Sequence, residues 1–469
     1  MRIRRDLTEL YPKVRLYRRD LSASHNNVSV FFEKRGRFAE AEESIRESLR
    51  LRRELLEETP QDPVIIEAVA QACFNLAGLL GELDKTKEAE DRFKEAIKIQ
   101  QKLAQEHGAV PKYRQQLAAH QSTYGVFLRD LRRFEESLVQ AKAALELRRD
   151  LVRHFPNDVT YHDQLADSLN NIAIVYSNLD DEERAHRYFD EALAERERMV
   201  RRAPRNVEYR VNLAQAHNNL GLNLVNLDKR EEGRTHYRAA IQAYEFIVKE
   251  HGEVPEYKVS LAKSCFNLGN LLRIQNEANN ALDWHNKAIG LLKPLHESAR
   301  QVVEYRMNLM RAYDSRAKAY DVLQRYPEAI ADWDQAIRLA DDFTGPVLRS
   351  YRALTMARSG QTENAIAETD KLIRAKVTGD VLFGAACIYA QCVEAMKSDA
   401  KQTDELVGKA VTQLRRLQKG GFFQVPDNVA LLQTEEQLNP IRRHPQFEKF
   451  VAEIGKRAPP SLPPPVRGP

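Results

Sequence analysis

The stretch PRNVEYRVNLAQAHNNLGLNLVNLDKREEGRTHYRAAIQAYEFIVKEHG, residues 204–252, carries the pattern that decides the fold. Its first half holds an apolar stripe at spacings of four and seven, formed by Tyr209, Leu213, Leu220 and Leu224. A polar turn at 228–230 interrupts the stripe, and a second apolar series follows, formed by Tyr237, Ala240, Ile241 and Tyr244. Apolar residues at these spacings indicate amphipathic helices. The stretch therefore predicts two helices joined by a tight turn.

The same pattern recurs at a constant period of 48 along most of the chain. A tyrosine marks six of seven equivalent positions, which are Tyr17, Ile65, Tyr113, Tyr161, Tyr209, Tyr257 and Tyr305. Small residues recur in three further columns, which begin with Ser29, Ala41 and Ser48. Because no insertion breaks the period over seven units, we expect rigid, directly stacked helix pairs.

The composition excludes several classes of protein. The 469 residues include 72 Lys and Arg against 68 Asp and Glu, so a net charge of +4 gives little support to nucleic acid as a partner. The N-terminal residues are basic without an apolar stretch behind them, unlike a secretory signal. No continuous apolar run reaches the roughly 18 residues that span a membrane. We therefore expect a cytoplasmic protein with no membrane partner.

Catalytic and metal-binding motifs are missing from the sequence. It contains no glycine-rich phosphate loop, no nucleophile elbow and no His-Glu-x-x-His pattern. The spacing of the cysteines indicates neither a disulfide framework nor a zinc site, and we expect buried free thiols at Cys73, Cys265, Cys387 and Cys392. The sequence thus predicts a protein that is not an enzyme, with no catalytic residues, no cofactor and no metal.

The three small-residue columns resemble the tetratricopeptide repeat (TPR) family. A small residue, twelve residues on another small residue, and seven residues on an alanine form that family's pattern, and the resemblance covers about residues 13–375. It implies an all-α, right-handed superhelical solenoid of helix-turn-helix repeats that binds a partner protein or peptide in its concave groove. The family's unit has about 34 residues. In its longer unit this chain is similar to kinesin light chains and related peptide-binding scaffolds.

The repeat pattern also predicts where each part of the chain begins and ends. Residues 1–12 read as the end of a second helix whose first part is missing, and residues 13–340 form seven extended units. An ordinary-length unit follows at 341–376, because equivalent small residues are there 36 apart. Residues 377–458 are expected to form a degenerate helix pair and a C-terminal cap. The proline-rich residues 459–469 are expected to be disordered.

The N-terminal edge carries the apolar side chains of an internal unit, namely Ile3, Leu7 and Leu10. A terminal repeat normally presents a polar cap. We therefore expect that the natural chain begins earlier, with further repeats or a kinase domain, or that this edge is covered by a partner or by self-association.

The C-terminal part carries a second resemblance. The segments KGGFFQVPDN (419–428) and LNPIRRHPQFEKFV (438–451) resemble the end of the TPR tails of planctomycete-type serine/threonine protein kinases. The resemblance implies a non-catalytic scaffold of a kinase system. It leaves open that this chain is the regulatory tail of a kinase whose catalytic domain lies outside it. RNA binding by helical repeats is a minor alternative.

One polar column invites a functional interpretation. Asparagine occupies five of its seven positions, with Thr123 and Ser315 at the others: Asn27, Asn75, Asn171, Asn219 and Asn267. Three of them are directly preceded by another asparagine, and these preceding residues are Asn26, Asn170 and Asn218. Asparagine is poor inside helices because its amide competes for backbone hydrogen bonds. These eight residues are therefore candidates for binding the backbone of an extended peptide. Alternatively, their amides bridge one repeat to the next.

Overall fold

A computed structural model describes residues 1–374, 377–396 and 399–455. Every regular element in this part of the chain is a helix, and it contains no strand. The chain divides into two units, residues 1–236 and 237–469. The predicted all-α repeat fold is confirmed.

The first unit begins with the short helix α1 (Arg2–Leu10) and continues as alternating first and second helices of the repeats. The pairs are α2 (Arg15–Glu33) with α3 (Phe38–Glu58), α4 (Pro63–Glu82) with α5 (Thr86–Glu106), α6 (Pro111–Asp130) with α7 (Phe134–His154), and α8 (Val159–Asn178) with α9 (Glu182–Arg202). Helix α10 (Val207–Asn226) follows, and α11 (Arg230–Glu250) contains the boundary between the units. The starts of successive first helices keep the period of 48 found in the sequence, and so do the starts of successive second helices. The sequence period is thus the period of the helix pairs themselves.

The turn between the two helices of a repeat has one conformation throughout. It contains a residue with positive φ, between 57° and 81°, at Gly36, Asp84, Arg132, Asp180, Asp228, Asn276, Gln324 and Gly360. A side chain in this left-handed conformation costs about 1 kcal/mol or more, which glycine avoids. The position recurs at the repeat period up to Gln324 and at a shorter interval from there to Gly360, so the last of these turns belongs to the shorter repeat.

The small-residue columns lie where the two helices of a repeat cross, as predicted. Ser29 Oγ donates to the carbonyl oxygen of Ala41 at 2.8 Å. Two repeats later, Ser137 Oγ donates to the carbonyl oxygen of Gly125 at 2.6 Å. A Cβ added to Gly125 would lie only 3.3 Å from the main-chain carbonyl oxygen of Ser137. The helices approach too closely for larger side chains in these columns.

The second unit continues the repeats, with shorter helices from its fourth helix on. Its elements are α12 (Pro255–Ile274), α13 (Ala278–Ser298), α14 (Val303–Val322), α15 (Tyr326–Leu339), α16 (Gly345–Arg358), α17 (Thr362–Leu372), α18 (Gly379–Ala395) and α19 (Ala400–Lys419). The chain then forms the 3-10 segments Phe422–Gln424 and Glu436–Ile441 and the helices α20 (Pro426–Thr434) and α21 (Pro445–Gly455). From α15 to α17 the helices have 14, 14 and 11 residues, which agrees with a shorter repeat.

The C-terminal elements close the second unit with their own apolar core. Tyr389 of α18 and Leu414 of α19 are fully buried with Phe450 of α21. Phe423 contacts Phe450, with ring centroids 5.9 Å apart. Helices α18 and α19 thus share one apolar core with the C-terminal elements. The proline-rich residues 459–469 lie outside the described residues.

Helix α4 meets a test for a membrane span that is based on length and composition instead of on continuous apolar runs. Helix α4 is long and apolar enough, by length and composition, to cross a membrane, with a mean hydropathy of 1.7 over 18 residues. A criterion of continuous apolar runs does not detect this helix, because polar residues such as Gln71 and Asn75 interrupt its apolar sequence. Half of that window is buried inside the first unit, where Val69 and Leu76 pack in its core. Helix α4 therefore has the composition of a core helix of a repeat.

Candidate functional site

The asparagine column forms hydrogen bonds between successive first helices of the first unit. Asn75 Nδ2 donates to Asn26 Oδ1 at 2.9 Å, and Asn219 Nδ2 donates to Asn170 Oδ1 at 2.8 Å. Asn171 Nδ2 donates to Ser122 Oγ at 3.4 Å. Each bond joins residues 49 apart, which is one repeat plus one residue. We call these three bonds the amide rungs.

A second set of bonds with the same spacing joins the first helices nearer their N-termini. Gln116 Nε2 donates to Glu67 Oε1 at 2.6 Å, and Asn212 Nδ2 donates to Asp163 Oδ1 at 3.4 Å. Neighbouring first helices are thus fixed in register at more than one level. The interpretation that amides bridge the repeats describes what these side chains do within the chain.

The rungs leave polar atoms available. Asn170 Nδ2 and Asn171 Oδ1 make no hydrogen bond within the described part of the chain, and both residues are only half-buried. Asn75 Oδ1 is already engaged, because it accepts from Gln71 Nε2 at 2.7 Å. Asn27 is exposed and forms no hydrogen bond to any described residue. The column therefore retains donors and acceptors for a ligand.

Two further candidates lie on later first helices. Asn218 lies on α10 and is half-buried, and Asn267 lies half-buried on α12 of the second unit. A bond between first helices also occurs within that unit. Asn270 Nδ2 donates to Ser315 Oγ at 3.2 Å, across 45 positions.

An apolar column that the sequence analysis did not identify accompanies the rungs. It lies three residues after each asparagine position, on the same side of the first helix. Its members in the first unit are Val30, Val126, Ile174 and Leu222, with Gly78 at the remaining position. The side chain of Leu222 is 51% exposed. The sequence period contained the signal, but exposed aliphatic residues are indistinguishable from core residues without the structure.

A column of buried arginines also escaped the sequence analysis. Arg52 Nη1 donates to the carbonyl oxygen of Ala68 at 2.6 Å, and Arg148 Nη1 donates to that of Gln164 at 2.6 Å. Each therefore ties a second helix to the next first helix. Burial lowers the pKa of both guanidinium groups. The column was hidden because Gln100 replaces the arginine between them.

Helix α1 makes the same connection at the N-terminal edge. Arg4 lies one repeat period before Arg52, and its Nη1 donates to the carbonyl oxygen of Asp20 at 3.3 Å and to Ser24 Oγ. Arg148 Nη1 likewise donates to Ser168 Oγ, at 2.7 Å. Helix α1 thus has the contacts of the closing turns of a second helix. Its apolar residues at the edge are largely exposed, and a cover for this edge stays a prediction.

The described residues contain no group of three or more His, Cys, Asp or Glu side chains that could hold a metal ion. The closest pair of histidines is His217 with His236, whose Nδ1 atoms lie 2.9 Å apart. Burial lowers the pKa of His217 to about 4, so its ring is neutral at pH 7. All four cysteines are buried free thiols, as predicted.

Comparison with known proteins supports the repeat assignment. Two sequence models described as tetratricopeptide repeat match the chain, one at residues 22–63 and 165–200 and the other at residues 70–103. Tetratricopeptide repeats are thus recognised in three stretches of the first unit. A comparison with curated proteins gives no match. The resemblance of the C-terminal part to kinase tails is not among these matches and stays a prediction.

Solved structures share the fold. The apo form of RapI is similar with a TM-score of 0.55 at 13% identity, over 85% of this chain and 99% of that one. A Rap protein complexed with Competence and Sporulation Factor has a TM-score of 0.43 at 15% identity, over 86% and 97% of the two chains. BtubC (BKLC) from P. vanneervenii has a TM-score of 0.43 at 17% identity, over 53% and 89%. At these identities the RapI likeness concerns the fold alone, and the other two add nothing to it.

Proposed function

We propose that the chain is a non-catalytic scaffold and that the first-helix face of its first unit holds an extended segment of a partner protein. The amide rungs carry this proposal. An asparagine amide both donates and accepts, so it can pair with a peptide backbone whatever the side chains of that peptide are. A recurring amide on successive first helices thus suits an extended ligand.

The rungs would also lower the cost of binding. An amide held by its neighbour has already lost its side-chain freedom, so a ligand does not have to order it again. Packed helices lie about 8 to 10 Å apart, which corresponds to about three residues of extended chain. One rung would therefore meet every third residue of the ligand. The apolar column that includes Ile174 and Leu222 would contact its side chains.

A second candidate function uses the same face. The segments 419–428 and 438–451 favour a regulatory tail of a serine/threonine protein kinase whose catalytic domain lies outside this chain. In that case the bound segment would belong to the kinase system. A kinase sequence in frame upstream of Met1 would decide for this alternative, and unrelated upstream sequence would decide against it.

Site-specific photo-crosslinking tests the face directly. A photoreactive residue at Leu222, on the first helix α10, should capture a distinct partner that mass spectrometry identifies. The control position is Val139, which is also exposed but lies on the second helix α7. The proposal is wrong if Val139 captures the same partner as efficiently as Leu222, or if captured protein is bound only through α7.

A further inference from the structure

A cleft of about 390 Å³ lies within the second unit, between α16, α18 and the C-terminal cap. We call it the cap cleft and define it by six of the residues that line it: Ser350, Tyr351, Asp380, Phe383, Phe422 and Glu435. Its volume lies within the range of about 300 to 1,000 Å³ that is typical of small ligand sites. Neither the repeat pattern nor the proposed function assigns it a role.

Aromatic rings form a large part of the wall. The rings of Phe383 and Phe422 stack with their centroids 6.0 Å apart and 27° between their planes. Tyr351 is exposed at the cleft, and its ring stacks on the buried Trp333 at 5.5 Å. Aromatic faces attract cations, and they bind the planar guanidinium of arginine best among protein side chains.

The charge of the lining has one sign. Asp380 and Glu435 contribute carboxylates, and no lysine, arginine or histidine lines the cleft among the described residues. Lys318 Nζ lies 4.8 Å from the ring of Tyr351, but it is paired with Asp314 at 2.9 Å. The two carboxylates of the cleft therefore have no cation among the lining residues, and Glu435 Oε1 accepts a hydrogen bond from the Gln437 N–H at 3.3 Å.

Ser350 adds a hydroxyl without a partner to the lining. Ser350 is only 7% exposed, lines the cleft, and makes no hydrogen bond within the part of the chain that the structure describes. The hydroxyl packs closely against Gly384, where a Cβ would lie 2.5 Å from Ser350 Oγ. The hydroxyl is thus free to accept a hydrogen bond from a group in the cleft.

We propose that the cap cleft binds an arginine side chain presented by an apolar segment of a partner protein. The guanidinium offers several donors in one plane, enough for both carboxylates and the serine hydroxyl. Its faces would contact the aromatic wall, and apolar neighbours in the segment would cover Leu354 and Leu431 at the rim. The cap cleft shares no residue with the amide rungs, so either proposal can fail without the other.

The experiment measures the binding of a labelled peptide, PPSLPPPVRGP, to the full chain by fluorescence anisotropy. This peptide has the sequence of residues 459–469 and presents a single arginine among apolar residues. The same peptide with alanine in place of arginine should bind at least tenfold more weakly. Asp380→Asn with Glu435→Gln should weaken binding of the arginine peptide by about five- to thirtyfold, as for two partly exposed ion pairs.

The control protein carries Asp342→Asn with Glu363→Gln, the same change in net charge at two exposed residues outside the cleft. It should bind within twofold of the unchanged chain. The proposal is overturned if both peptides bind equally, or if the control loses as much affinity as the cleft variant. A further variant of the full chain carries Arg467→Ala, which removes the arginine of its own C-terminal segment. If the arginine peptide binds only this variant, the chain's own arginine competes for the cleft, and the assignment to a partner is overturned. If the peptide binds none of the proteins, the whole proposal is overturned.

Discussion

The first unit repeats a neutral amide bond between successive first helices, and the second unit repeats an ion pair at equivalent positions of two successive repeats. In the first unit, neutral amides join successive first helices, as in the bond of Asn219 to Asn170. In the second unit, two successive repeats place an ion pair between their two helices, as Arg196 of α9 does with Asp163 of α8 in the first unit. Arg316 pairs with Asp332 at 2.6 Å, and Arg352 pairs with Glu368 at the equivalent positions of the next repeat.

The two repeats with equivalent ion pairs have shorter second helices. Second helices of 21 residues in the first unit bury long apolar stripes, whereas α15 and α17 have 14 and 11 residues and bury less. An ion pair fixes a short helix on its neighbour, but it requires partial burial of charge. The bond of Asn219 to Asn170 joins two neutral groups, so it does not depend on pH or salt, whereas Gln116 and Asn212 donate to carboxylates. A face with neutral amides suits a backbone ligand, and the following predictions test the contrast.

The largest effect is expected from the ion pair of the short repeats. Asp332 is only 4% exposed, and burial raises its pKa while Arg316 opposes that rise. Arg316→Met should leave a buried carboxylate without its partner and destabilise α14 and α15 by about 3 kcal/mol. Hydrogen exchange of these helices measures the loss. Arg311→Met, at an exposed arginine of α14, should change it by less than about 0.5 kcal/mol. Equal effects would show that the pair is not the cause.

A buried histidine should make the second unit sensitive to acid. His285 is 0% exposed, and burial lowers its pKa from 6.5 to about 3. Between these values the unfolded chain binds a proton that the folded chain does not, so stability is complete above pH 6.5 and falls as the pH falls toward 3. Between pH 7 and pH 4.5, the His285→Leu protein should lose about 2 to 3 kcal/mol less stability than the unchanged chain.

Denaturant unfolding at both pH values, or hydrogen exchange of α13, checks this prediction. His251→Gln provides the control, because that side chain is 40% exposed at the end of a helix. It should leave the pH dependence unchanged. A His285→Leu protein that loses as much stability in acid as the unchanged chain would contradict the assignment.

Within the first unit a single rung should have a smaller effect. Asn75→Ala removes the bond to Asn26 and should destabilise the contact of α4 with α2 by about 1 kcal/mol. Asn27→Ala is the matched control in the same column, because Asn27 is exposed and bonds to no described residue. Its effect on stability should be within about 0.5 kcal/mol. If both substitutions cost the same, the rungs do not contribute to the register.

Much of the fold could be predicted from the sequence, because a period of 48 places equivalent residues in equivalent packing. Ser29 and Gly125 lie at helix crossings as their column implied. The repeat columns could not predict the hydrogen-bond partners of the asparagines. A column compares residues exactly one period apart, whereas Asn75 bonds to Asn26 across 49 positions. That extra residue depends on how neighbouring helices are offset, which no single column records.

Features outside the regular repeats were also beyond prediction. The cap cleft joins Ser350 of a shortened repeat to Phe422 and Glu435 of a segment with no counterpart elsewhere in the chain. Without a repeat to compare, the sequence gives no register for these residues. The resemblance to kinase tails identified the segment but not the residues that it places together.

The binding affinity of Asn171→Ala with Asn219→Ala for the segment captured at Leu222 tests the central claim most directly. The double variant removes two rungs, and circular dichroism must show that it is folded at the temperature used. The matched control is Asn157→Ala with Asn178→Ala, at two exposed asparagines outside the column. We predict that the double variant binds about tenfold or more weakly, since each lost hydrogen bond contributes about 1 kcal/mol, and that the control binds normally. A folded double variant that binds as tightly as the control would contradict the account.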